Sequence, residues 1–451
     1  MFCALNGATR QPRSRSQAQI AVAIQLFPAF DVVPPTKMGR ALILLCWSSG
    51  AMANIYPFRP LRYAPKAGPI DTLATQPYDT ISPELEARYR AASPYNLVHL
   101  ILPGDDYAGA AARFRDWIGE GILVREESPA LFVYEQQFVL PESSERLVRR
   151  GFIGLSDTEN YGQTVHRHER TLDAPKADRL ALLRHTRAQF GSIFMLYPDE
   201  AGSVDTLLDQ AAAGEPIAVF TDHQQTTHLL WRHVDAAWIA RVQSAMGEKP
   251  LIIADGHHRY EAALQFGAPR TMMTFVSLQS RGLRSLAAHR VVSGRRWVAP
   301  GTPAPGTPAS GTPLGSVAHL HAAWENTPRG RVRFGAADSQ GLRLLEFERP
   351  AGVLNLPVLH QQVLQAQMGI APDAIARQEF VSYRRGIGAA IDEVHSGKAD
   401  VAFLVEPLDV KDVARLALSG EILPQKSTDF YPKLASGLTI YHHALDHLGP
   451  A

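Results

Sequence analysis

The sequence predicts a mixed α/β protein of two halves. Short apolar runs of strand length recur along the chain, amphipathic stretches of helix length alternate with them, and a Gly-Thr-Pro segment near residue 300 divides the alternation in two. With 45% hydrophobic and 20% charged residues, the chain can build a full core without covalent staples. Lysine and arginine (45) balance aspartate and glutamate (44), so the net charge of +1 sets up no whole-molecule field toward nucleic acid or acidic lipid. Nucleic acid is therefore not an expected partner. The two cysteines, Cys3 and Cys46, both precede residue 52. Beyond that point disulfides, thiolate zinc sites and a cysteine nucleophile are excluded.

The elements follow in order. Residues 1–52 differ from the rest: a basic polar stretch, a proline-broken stretch, then a short apolar run after Arg40 that faintly resembles a secretory signal. That run is far too short for a membrane span. The expectation is an N-terminal extension, disordered or a mis-assigned start, with the working chain beginning at Met52 in the cytoplasm and no membrane partner. Residues 53–299 are expected to form the main α/β domain. Within it, Ser82 caps a helix over 83–92 that opens on Pro83. The apolar run 93–103 predicts a strand, and Phe114, Trp117 and Ile118 mark an amphipathic helix ending near Gly119. Strands are predicted over 130–140, 149–157 and 217–220, and one helical stretch over 228–246. Residues 300–315, PGTPAPGTPASGTPLG, hold too little apolar surface to order themselves and read as a flexible linker. Residues 316–451 then form a second α/β region. It has a hairpin over 332–350, a helix containing His360, a polar strand FVSYRR, a helix over 386–397, and a helix ending at Gly420.

The densest chemistry lies in LIIADGHHRYEAAL, residues 251–264. Four apolar residues suggest a buried strand, Asp255-Gly256 a turn, and 258–266 a helix. His257, His258 and Arg259 occupy the start of that helix, where backbone N–H groups are unpaired and the dipole is positive. Cations there cost on the order of 0.3–1 kcal/mol each when charged, which suggests that an anion belongs in the gap. A phosphate would be held by the N–H groups and Arg259, with Gly256 allowing close approach. Asp255 would hold Mg²⁺ or accept a hydroxyl proton. The plainer alternative is an ordinary Asp-Gly turn whose Tyr260, Ala263 and Leu264 form one packing face.

IADGHHRYEAAL, with PQKSTDFYPK near the C-terminus, closely resembles the bacterial and archaeal family of unknown function numbered ten-fifteen, over about residues 55–442. The corner alone also resembles the G-x-x-R corner of the ParB and sulfiredoxin-like superfamily, which binds nucleotide phosphates and includes partition proteins and free-serine kinases. Sulfiredoxin itself is set apart, because its chemistry needs a cysteine where this chain has His257 or His258. The family resemblance carries over His168, Glu169, Thr171, Lys176 and Arg179 from HRHERTLDAPKADR, the pair His289-Arg290, and Lys426 and Ser427 from PQKST. It implies Asp255, Glu169 and His168 as catalytic candidates. Gly256, His257, His258, Arg259, Arg290, Lys426 and Ser427 would bind phosphate, with Mg²⁺ and a nucleotide (ATP, ADP or CTP) as cofactors. Lys176, like Asp178 and Arg184, reads sooner as part of a solvated helix face, and Lys433 could also reach a phosphate. Three functions stay open: a phosphotransferase acting on a small serine-like hydroxylated substrate, a nucleotide-gated switch of the partition type, and a non-catalytic small-molecule sensor.

Overall fold

The computed structural model describes residues 53–141, 143–171, 173–297 and 311–446, which form mixed α/β architecture as the alternation predicts. The expectations for residues 1–52 lie outside the described residues. Among the described residues no helix is long and apolar enough to cross a membrane.

A nine-stranded mixed sheet organises the first half. Its path runs Val165–His166, Leu251–Asp255, Ile193–Tyr197, Arg270–Ser277, Arg146–Asp157, Leu131–Val139, Thr227–His233 and Ala218–Thr221, and Ile55–Tyr56 also pairs with Arg146–Asp157. The central strands are apolar on both faces. Ile253, Met195 and Met273 pack with Tyr260 and the helices Ser203–Ala211 and Ala236–Met246, while their neighbours Ile252, Leu196 and Met272 pack with Phe430 and Leu434. Burial on both faces is why these strands read as continuous apolar runs rather than alternating ones. An antiparallel six-stranded sheet organises the second half, in the order Thr312–Leu314, Gly341–Glu348, Arg331–Asp338, Val401–Leu404, Ala288–Val292 and Val381–Arg385. Ala288–Val292 precedes the Gly-Thr-Pro segment yet joins this sheet. The late strand Asp429–Tyr431 returns to pair with Arg284–Leu286.

Ser82 caps Pro83–Ala92 as expected, accepting from the Leu85 N–H. Three local expectations are corrected. The predicted strand over 93–103 contains the short helix Val98–Ile101, because the Asn96 carboxamide accepts from the Val98 N–H at 2.9 Å and turns the chain. The stretch 228–246 divides into the strand Thr227–His233 and the helix Ala236–Met246. Asp235 caps that helix by accepting from the Trp238 N–H at 2.6 Å, which fixes the break between them. Within the predicted linker, Thr312–Leu314 pairs as an edge strand with Gly341–Glu348, and residues 298–310 lie outside the described ones.

Candidate functional site

The corner folds as its residues dictate. The strand Leu251–Asp255 ends in Gly256 at φ 97°, and the helix His257–Phe266 begins there with no side chain capping its N-terminus. Only glycine takes that backbone conformation without strain. The space over Gly256 is filled by the chain itself: a Cβ there would lie 2.8 Å from Arg259 Nη2. Close approach by a ligand is therefore corrected to close approach by the Arg259 guanidinium. Gly256→Ala is expected to cost about 1–3 kcal/mol and to displace Arg259 from Asp255. Urea unfolding checks the first part and anion affinity the second.

Asp255 is the hub. Its Oδ2 accepts from Arg259 Nη2 at 2.8 Å and its Oδ1 from Lys433 Nζ at 2.9 Å. Lys433 also pairs with Asp429 at 3.2 Å, which pairs in turn with Arg385 at 2.7 Å. Burial alone would raise the Asp255 carboxyl, but the Lys433 ammonium and the Arg259 guanidinium hold it well below the usual range. A carboxylate so stabilised is a weak base, and both of its oxygens are engaged by cations. Among the described residues no group of three or more His, Cys, Asp or Glu side chains is arranged to hold a metal. The residues present thus do not fit Mg²⁺ on Asp255, because a metal would have to displace two ion pairs.

Glu169 is the contrasting carboxylate. It lines the same cleft, and burial pushes it up to about 7 against the pull of the Lys426 backbone N–H and ammonium. Its chain is fixed beside the PQKST loop, where the Leu423 N–H donates to the His168 carbonyl at 2.7 Å. His168 itself is wholly buried. One ring nitrogen meets the Ile253 carbonyl at 2.8 Å, the other meets Thr428 Oγ1 at 2.9 Å, and burial lowers it to about 4. It joins strand to loop and does not line the cleft, so the catalytic role is corrected to a structural one.

Burial disfavours the charged form of both helix-start imidazoles. Burial holds His257 well below the ordinary imidazole value, with the His168 ring 4.8 Å away, and it lowers His258 as well. Only Arg259 brings full charge to the first turn, so the predicted crowd of positive groups is corrected to one guanidinium. Among the described residues His257 Nε2 nonetheless has no hydrogen-bond partner in its buried position, nor have Gln224 Oε1 and Tyr383 Oη, and all three residues line the cleft.

That cleft is about 450 Å³ and receives residues from both sheets. The first supplies Glu169 and 254–259; the second supplies Ala288 and 382–385; the late loop supplies Lys426, Thr428, Asp429 and Lys433. Ser427 and Arg290 are not on its wall. Ser427 Oγ donates to the Pro424 carbonyl at 2.6 Å and is buried. Arg290 is wholly buried behind the loop, while His289 accepts from the Val405 N–H at 3.2 Å. Arg179 stacks at 3.9 Å on Tyr78, itself a cleft residue, Lys176 pairs with Asp173 at 3.0 Å, and Thr171 donates to Glu261 at 2.7 Å; none of the three lines the cleft. Sequence reasoning missed Asp79, Gln224, Tyr383, Arg384, Arg385 and Asp429 as cleft residues. The adjacent arginines of FVSYRR were the visible signal, though nothing local says which way that strand faces.

The fold and site define a mixed α/β protein with a charged cleft whose wall is shared by its two principal sheets. The chain belongs to the DUF1015 family, described as a protein of unknown function, whose model matches residues 55–300. No curated protein matches it. Among solved structures it is similar to a conserved hypothetical protein from Pyrococcus furiosus, at 12% identity, covering 60% of this chain and 89% of that one with a TM-score of 0.33. It is also similar to a free serine kinase in complex with AMP, at 12% identity, with 61% and 89% covered and a TM-score of 0.34. A third is SbnI with a C-terminal truncation from Staphylococcus aureus, at 10% identity, with 66% and 90% covered and a TM-score of 0.33.

Proposed function

We propose that the cleft binds a nucleotide through its phosphates and transfers a phosphoryl group to a small hydroxylated acceptor. The observation that carries this reading is a pair of carboxylates driven apart by their surroundings in one cleft. Asp255 is locked as an anion between two cations, and Glu169 is held near neutrality opposite Lys426. A carboxyl that titrates near the working pH is suited to proton transfer. In the step proposed, Glu169 takes the proton of the acceptor hydroxyl as its oxygen bonds to the terminal phosphorus. The bond from that phosphorus to the bridging oxygen breaks, and the shortened nucleotide leaves with that electron pair. Lys426 and the uncapped helix N-terminus at His257 meet the phosphate oxygens. The unpartnered polar atoms of His257, Gln224 and Tyr383 offer hydrogen bonds to the rest of the ligand. Asp255 serves by holding Lys433 and Arg259 in place, and no step is routed through a metal.

The full-length chain is expected to show a thermal shift with ATP, ADP or CTP, since a ligand at 100 times its dissociation constant stabilises by about 2.7 kcal/mol. Incubation with serine and the binding nucleotide is then expected to yield phosphoserine. Binding without transfer would leave a nucleotide-gated switch or sensor, and no shift with any nucleotide would remove the reading altogether.

A further inference from the structure

Two wholly buried arginines stand behind the cleft; among the described residues no carboxylate hydrogen-bonds to either, and the cleft carboxylates Asp255 and Glu169 act on Arg149 and Arg290 only through space. Arg149, 1% exposed, donates to the Gln136 amide oxygen at 3.1 Å and to the backbone carbonyls of Tyr431 (3.1 Å) and Pro432. Its guanidinium lies 4.8 Å from the Phe194 ring centre. Gln136 donates its own amide N–H to the Lys433 carbonyl at 2.8 Å. From the second sheet Arg290, 0% exposed, donates to the Ala288 carbonyl, to the Lys426 carbonyl at 3.2 Å and to His360 Nε2 at 3.4 Å. The late loop is thus gripped at both ends, from opposite sheets, beside the two lysines that line the cleft.

A buried guanidinium held by neutral acceptors alone is costly. Burial draws both groups down to about 10, so each stays charged at neutral pH. A glutamate in place of Gln136 would supply a counter-charge in the same volume, yet the chain has the neutral amide. The side chains lining the cleft include five lysines and arginines against four carboxylates, and the two arginines behind raise that excess from one to three. We infer that Arg149 and Arg290 are positioning residues, holding Lys433 and Lys426 toward the cleft and, by a charge that no direct ion pair neutralises, fitting it to a polyanion such as a di- or triphosphate group. The choice of ligand rests on the phosphate reading above; the positioning does not.

Two measurements on the full-length chain separate the parts. Calorimetric titration with inorganic tripolyphosphate and monophosphate compares wild type with Gln136→Glu, which keeps the acceptor for Arg149, adds a counter-charge and gives up the amide donor to the Lys433 carbonyl. Tripolyphosphate binding is expected to weaken at least tenfold and monophosphate binding less than threefold. Unchanged tripolyphosphate affinity in the folded variant overturns the electrostatic part. Acylation by an amine-reactive ester, read by mass spectrometry, needs no ligand. Arg149→Lys is expected to speed modification of Lys433 at least threefold and to leave the exposed Lys411 unchanged. An unchanged Lys433 rate overturns the positioning. A changed rate in a protein that binds no polyphosphate supports the positioning and overturns the phosphate reading.

Discussion

Asp255→Asn is expected to abolish anion binding and turnover and to cost about 2–3 kcal/mol of folding stability, because it removes the shared partner of two half-buried cations. Asparagine keeps the shape and loses the charge. Lys433 would then face Asp429 alone, and Arg259 would keep only the Ser192 carbonyl at 2.7 Å. The pH dependence follows from the depressed carboxyl. Its contribution is fully present above the unfolded value of 3.8 and is lost as pH falls through the lower folded value. The wild type should therefore lose stability on acidification below about pH 4, and the variant should show less of that loss. Urea unfolding across pH 2–7 measures both. A variant within about 1 kcal/mol of wild type at pH 7 would show that the Asp255 pairs contribute little.

Glu169→Gln is expected to act in the opposite sense on stability while removing catalysis. A carboxyl raised to about 7 contributes stability below its unfolded value of 4.5 and loses it as pH rises through 7. At pH 8 the wild type holds a charge that burial disfavours, and glutamine relieves it, by on the order of 2 kcal/mol once solvent at the cleft mouth is allowed for. Turnover should drop by roughly 10²–10⁴-fold, the usual contribution of a positioned proton acceptor. Nucleotide affinity should hold or improve, since a negative charge leaves the cleft. Thermal melts at pH 5 and pH 8, paired with initial rates, test the two halves. A variant with full turnover would remove Glu169 from the reaction, and one destabilised equally at both pH values would contradict its raised carboxyl.

Much of the fold is local and was legible in the residues. The apolar run ending in Asp255-Gly256 gives a strand, a left-handed turn and a helix, because only short-range sterics and hydrogen bonds are involved. The Ser82 cap was legible for the same reason. Asn96 and Asp235 were equally local, yet their turns were hidden inside apolar runs that read as one continuous element. The corner, Glu169 and Lys426, which motifs singled out in the sequence, line one cleft.

What the chain order could not reveal was which charges meet. Lys433 reaches Asp255 from 178 residues away, and Arg149 reaches the Pro432 carbonyl from 283 away, across sheets whose register is a collective property. Protonation depends on the same thing. Two histidines and an arginine in a row look like three cations on paper, but burial disfavours charge on the imidazoles, while one carboxylate is held charged by its cations and another is lifted toward neutrality. The sequence by itself determined the chemistry available at the corner. Only the tertiary structure, by setting how much water each group loses and which opposite charge it gains, decided what that chemistry is.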